Sequence, residues 1–146
     1  MKIRFRFEKL TVWQEARRLN RQVYTLARKL PETERFGLIS QLRRAVVSVS
    51  ANIAEGSGRN SDKDFAHFLE QSYGSLMETA SLLYLAQDER FLKAEELDPV
   101  LDKIEELGKQ IAALNRSLVF SGSKTPFPRT TTVRPPALVS RPSTLD

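Results

Sequence analysis

The chain has 146 residues, no cysteine, a hydrophobic fraction of 40%, a charged fraction of 28% and a formal net charge of +5. That is the length of one ordinary domain able to bury a core unaided, and the missing cysteines exclude disulfide, thiolate-metal, iron–sulfur and cysteine-nucleophile chemistry. No apolar run approaches the roughly 20 residues of a membrane span, and Met1 to Phe7 lack the apolar block of a signal peptide, so a cytoplasmic protein without membrane attachment is expected.

In chain order, residues 2–7 (KIRFRF) alternate with period two, which would set Ile3, Phe5 and Phe7 opposite Lys2, Arg4 and Arg6 in an extended, basic arm covering residues 1–8. Val12, Ala16, Leu19, Val23, Leu26 and Leu30 then repeat at helical spacing, and Pro31 closes this first helix because it cannot continue the backbone ladder. The second helix carries Ile39, Leu42, Val46, Val49 and Ile53 on one stripe and ends near Gly56 and Gly58, which can supply a left-handed C-terminal cap. Ser61-x-x-Asp64 resembles a capping box with a shorter acid and opens a third helix through Phe65, Leu69, Leu76, Ala80 and Leu83. The fourth runs through Leu97, Leu101, Ile104, Leu107, Ile111, Leu114 and Leu118, with Pro99 placed in its first turn. Residues 121–146 hold 5 of the 7 prolines and 9 Ser+Thr without apolar periodicity, and read as a disordered tail. The predicted fold is all-α: an antiparallel up-and-down four-helix bundle over residues 1–120.

Charge is unevenly distributed. Residues 1–60 net +8, residues 61–120 net −6 and residues 121–146 net +3. A basic first half suits a polyanion or an acidic partner; neutralisation of one half by the other inside the fold is the alternative.

Helices two and three each show a second seam opposite the core stripe. On the second it is Ser40, Arg44, Val47, Ala51 and Ala54; on the third, Gly74, Glu78, Ser81 and Leu85. A monomer needs one apolar stripe per surface helix, and small residues let another helix approach closely, so these seams predict self-association. The competing reading makes the two helices the best-covered pair of a single bundle.

On the first helix, Arg17, Arg21 and Arg28 share an outward line with Tyr24 between them. Arginines interleaved with an aromatic ring suit phosphate contact plus base stacking, and Arg43, Arg4 and Arg6 extend the candidate nucleic-acid surface. A solvated face would look the same. Arg44 lies in the small-residue seam, where an inter-subunit ion pair competes with a nucleic-acid role. Asn52 and Glu55 sit near the end of a helix whose dipole would favour cations, so a structural role is expected, bonded to a neighbouring helix or loop, with Glu78 and the arginines as candidate partners.

His67 is the lone histidine. A di-metal bundle needs two Glu-x-x-His pairs, so no metal is expected. With no G-x-S-x-G, G-x-x-x-x-G-K-[ST] or G-x-G-x-x-G either, no catalytic residue and no cofactor is assigned. Gly56-Ser-Gly-Arg59 reads either as an anion-binding nest or as a cap and loop.

Phe7-x-x-Leu10-x-Val12-Trp13-Gln14-x-Ala16, Pro31-x-x-Glu34-x-Phe36-Gly37-Leu38-x-x-Gln41-Leu42-Arg43-Arg44-Ala45, Ser48-x-x-x-Asn52-Ile53-Ala54-Glu55-Gly56 and Gly74-Ser75-Leu76-x-Glu78 follow one another in the chain. Over residues 5–120 this series resembles the four-helix bundle proteins named after intervening sequences in bacterial 23S ribosomal RNA genes, the Asn-Ile-Ala-Glu-Gly block being its most specific part. The resemblance implies a small bacterial all-α protein without known catalytic activity that assembles into a ring-like homopentamer. More distantly the chain is similar to the accessory variability protein of diversity-generating retroelements, a basic pentameric bundle that binds nucleic acid and a reverse transcriptase. The acidic second half and the proline-rich tail make this chain less uniformly basic than those relatives.

The expected function is therefore a non-enzymatic homo-oligomeric bundle that binds RNA or DNA through the first helix and the arm. A scaffold that docks an acidic protein partner is the alternative.

Overall fold

The computed structural model describes residues 2–120, so the tail expected over residues 121–146 lies outside the described residues. A 3₁₀ turn over Arg6–Lys9 leads into α1 (Thr11–Ala27), a second 3₁₀ turn over Glu32–Glu34 leads into α2 (Leu38–Ser57), and α3 (Asp62–Asp88) and α4 (Ala94–Phe120) follow after short connections. There is no strand among the described residues, and the fold is an all-α four-helix bundle.

The helices form a ring in which α1 packs on α2, α2 on α3, α3 on α4 and α4 back on α1. Contacts at opposite ends of neighbouring helices show each to be antiparallel to the next. Arg6 reaches the C-terminal end of α2, Gly56 near that end meets Phe65 and Phe68 at the start of α3, Asn115 near the end of α4 bonds Ala66, and Lys29 beyond α1 pairs with Glu96 at the start of α4. The core is built from the stripes read in the sequence: Val12, Ala16, Leu19, Val23, Leu26 and Leu30 face Ile39, Leu42, Val46, Val49 and Ile53, with Leu69, Leu76, Leu83, Leu97, Ile104 and Ile111 completing it, all buried. Burial of such side chains, at roughly 1.5–3 kcal/mol each, is what holds the helices together.

Helices α2 and α3 make the most extensive contact, and small residues permit it. Ser72 Oγ donates to Val49 O at 2.7 Å, the Ser48 and Ser75 hydroxyls lie 2.8 Å apart, and Gly56 is buried where a Cβ would fall 2.7 Å from Phe68 Cβ. The glycine at 56 is thus required by close approach.

Three local readings are corrected. The left-handed cap expected at Gly56 or Gly58 is absent: α2 runs through Gly56, and Gly58 has φ −87°. The left-handed residue falls instead at the end of α3, where Arg90 has φ 62° while the Phe91 N–H donates to Ala86 O at 2.9 Å and closes the last turn. Pro99 lies in the second turn of α4, because the helix begins five residues earlier at Ala94. The arm is not an extended ribbon with two faces; it folds into the 3₁₀ turn because the Glu8 carboxylate takes up the N–H groups of Arg4 and Phe5, each at 2.6 Å. At the start of α3, Ser61 Oγ accepts from the Asp64 N–H at 3.1 Å, one half of the capping box read there.

Candidate nucleic-acid interface

Helix α1 presents Arg17 and Arg21, and its C-cap Arg28, to solvent because Ala16, Leu19, Val23 and Leu26 occupy its core side. Ion pairing does not consume the row. Lys29–Glu96, at 3.3 Å, joins the basic and acidic halves, whereas Arg18–Glu15, Arg35–Glu32, Arg59–Glu55 and Lys109–Glu105 pair residues three or four apart. Arg17, Arg21 and Arg28 take part in none of these. Arg28 Nη2 reaches Thr25 Oγ1 at a long 3.4 Å, and the Arg17 guanidinium lies 5.4 Å from the centre of the Trp13 ring.

The aromatic ring of the predicted row is placed differently from expectation. Tyr24 is half-buried against the core, and the Arg43 guanidinium lies 5.3 Å from its ring centre. Arg43 is itself half-buried with no partner for its Nε. Tyr24 and Arg43 thus cover each other at the α1–α2 seam, because the helical rotation that puts Tyr24 near the row also tilts it toward α2. Arg6 is occupied as well: its Nη1 donates to Ser57 O at 3.2 Å and it lies over the Phe65 ring at 5.6 Å. Arg4 is exposed, and its N–H is held by Glu8.

The folding of that arm onto α1 is what the alternation of KIRFRF did not indicate. Phe7 packs on Trp13 with ring centres 4.8 Å apart, Gln14 Nε2 donates to Glu8 O at 2.8 Å, and the Glu8 carboxyl is held below the usual glutamate range, first by the Phe5 N–H and then by that of Arg4. The spacing of Phe7, Glu8, Trp13 and Gln14 carried the signal, since a turn ahead of a helix brings just these positions together.

The second seams on α2 and α3 face outward. Arg44, Val47, Ala51, Gly74, Glu78, Ser81 and Leu85 are exposed and Ala54 is half-buried; Val47 and Leu85 keep 43% and 47% of their surface open, beside Met77 at 40% and Tyr84 at 52%. Glu55 pairs with Arg59 at 3.0 Å, in the loop that follows α2. Asn52 Nδ2 donates to Ser48 O at 2.8 Å and Ser48 Oγ at 2.9 Å, and Ser48 in turn meets Ser75 of α3. Asn115 is fully buried in the core register of α4, four residues after Ile111, and donates to Ala66 O at 3.0 Å. The amide at that position was the available sequence signal.

His67 is exposed, with Nε2 3.1 Å from Gln71 Nε2. No group of three or more His, Asp or Glu among the described residues is placed to hold a metal ion, and no helix among them is long and apolar enough to cross a membrane.

Bundle, arm and exposed rows together define a small all-α helical-bundle protein. The family of 23S rRNA-intervening sequence proteins matches residues 8–113, and the chain belongs to that family. Among solved structures, the chain is similar to a Bacteroides thetaiotaomicron protein of unknown function from the S23 ribosomal protein family, with a TM-score of 0.68 and 21% identity over 73% of this chain and 99% of that one. At that identity the likeness is one of fold. No curated protein matches the chain.

Proposed function

We propose that the protein is a cytoplasmic, non-enzymatic homo-oligomer that binds RNA or DNA through the α1 face and the N-terminal arm, as an accessory to a nucleic-acid enzyme such as the reverse transcriptase implied by the more distant resemblance. The observation that carries this reading is the exposed row of Arg17, Arg21 and Arg28, which the acidic half of the chain does not pair. Their spacing, about 6 Å and then about 10 Å along the axis, suits successive phosphate contacts. The exposed seam of Val47, Ala51, Gly74, Ser81 and Leu85 supports self-association, and the family resemblance implies a pentameric ring. An oligomer repeats the row around its rim and so raises avidity.

Binding is then nearly sequence-independent and salt-sensitive, and its log–log slope shrinks by about 0.7 for each phosphate of a single strand that the protein no longer neutralises. Replacing Arg17, Arg21 and Arg28 with Gln weakens RNA and DNA alike and leaves the oligomer intact. Unchanged binding at low salt would show the row to be a solvated face. The Arg43 cover on Tyr24 favours a second reading, a scaffold for an acidic protein, since it withdraws one ring from base stacking. Binding to an acidic protein in preference to RNA distinguishes that case.

A further inference from the structure

Between the folded arm and the first half of α1 lies a groove of about 470 Å³, bounded by Lys2, Glu8, Trp13, Arg17 and Arg21. Its volume falls in the roughly 300–1,000 Å³ range of small-ligand sites. Its walls are held by hydrogen bonds. Glu8 Oε2 accepts the Arg4 and Phe5 N–H groups, Gln14 ties α1 to Glu8 O, and Arg6 fastens the arm to Ser57 O at the end of α2.

Cations dominate the lining. Lys2, Arg17 and Arg21 take part in none of the ion pairs described above, while Arg18, also at the wall, is neutralised by Glu15. Glu8 is the acidic side chain that lines the groove; its Oε2 takes up two backbone donors, and its charge is also partly met by Arg17, so Lys2 and Arg21 are the cations it leaves unopposed. The first turn of α1 carries no acidic residue and its N-cap, Leu10, no capping side chain, so the positive end of the helix dipole adds to the same field. The groove also contains an aromatic surface: Trp13, half-buried against the core, is backed by Phe7, and over its ring lies the Arg17 guanidinium, which is exposed where the Arg43 that covers Tyr24 is half-buried.

We propose that this groove seats one nucleotide of a single strand. Lys2, Arg17 and Arg21 hold its phosphates, and the base stacks on Trp13 as Arg17 exchanges the ring for a phosphate oxygen. A stacked base outweighs an exposed cation–π contact, and the freed guanidinium gains charge-assisted hydrogen bonds. This assignment rests on the nucleic-acid reading of the α1 face and gives the stacking role to Trp13 in place of Tyr24. A duplex, whose bases stay paired, reaches the cations but not the ring.

Trp13 is the sole tryptophan, so its emission reports on the groove directly. The full chain is titrated at low salt with an end-labelled oligouridylate of about ten nucleotides, within the footprint of small single-strand binders, with anisotropy and Trp13 emission followed together. Saturable quenching is expected in step with anisotropy, and a duplex of equal length binds without quenching. Arg21→Gln weakens the single strand by about three- to tenfold and Arg28→Gln, some 10 Å further along α1, by clearly less. Trp13→Leu, which keeps an apolar body against Phe7, weakens it by about five- to a hundredfold. If that variant does not fold, Arg21→Gln with Trp13 in place carries the test. Binding without quenching, quenching by duplex as strong as by single strand, or equal effects of Arg21→Gln and Arg28→Gln would overturn the groove and leave the general reading standing. Absence of binding to either nucleic acid would overturn both.

Discussion

Two buried glycines of this bundle respond in opposite ways to one added methyl group. A Cβ at position 56 falls 2.7 Å from Phe68 Cβ and 2.8 Å from Phe65 Cδ2, whereas one at position 108 meets Tyr73 Cε2 at 3.4 Å and Leu76 Cδ2 at 3.6 Å, ordinary contact. Phe68 Cβ is fixed to the α3 backbone and cannot rotate away, so Gly56→Ala forces α2 and α3 apart by several tenths of an ångström at their most extensive contact. Overpacking of this kind costs about 1–3 kcal/mol, and replacing a helical glycine by alanine returns up to about 1 kcal/mol, leaving a net loss of about 1 kcal/mol. Gly108→Ala keeps the propensity gain and meets no barrier, so it stabilises by about 0.5–1 kcal/mol. Thermal melts followed by circular dichroism are expected to show Tm lower by about 3–6 °C for Gly56→Ala and higher by about 2–5 °C for Gly108→Ala. A Gly56→Ala protein as stable as Gly108→Ala would refute the inference that close approach, rather than chain flexibility, requires glycine at position 56.

The exposed seam gives a second test. A Cβ at Gly74 meets nothing within 4 Å, and Ala51 is exposed, so Gly74→Leu and Ala51→Glu should leave the single chain folded while breaking the oligomer, as read by light scattering; a wild-type monomer would remove the basis for the assembly. The arm gives a third. The Glu8 carboxyl titrates below its ordinary value of 4.5 because the Phe5 and Arg4 N–H groups bond its ionised form, so the turn is fully supported above about pH 4.5 and loosens as pH falls through the lowered value. Amide shifts of Arg4 and Phe5 followed by NMR should titrate in that acidic window in the wild type and stay flat in Glu8→Gln.

The four helices were legible in the sequence because amphipathic periodicity is a local property. The spacing of Val12, Ala16, Leu19 and Val23, or of Leu97, Ile104, Leu107 and Ile111, fixes which side of a helix leaves water whatever it packs against. The exposure of Arg17, Arg21 and Arg28 follows from the same rotation, as does the outward position of Val47, Ala51 and Gly74. Helix ends and polar partners were less legible, since they depend on which element arrives beside them. Gly56 looked like a cap until Phe65 and Phe68 came to lie against it, and Arg90 took the left-handed position because the closing bond from Phe91 to Ala86 outweighs the local preference for glycine there. Tyr24 shared a line with three arginines in the sequence, and only the packing of α2 on α1 placed Arg43 over its ring. The arm shows the division most plainly: alternation in KIRFRF is a true local pattern, yet the fold gave Glu8 two backbone donors, Arg6 a carbonyl across the bundle and Phe7 a ring to pack on. A strand-like alternation has no neighbouring strand to pair with among the described residues, so its backbone groups are satisfied by a turn, and the groove beside Trp13 exists only because of that turn.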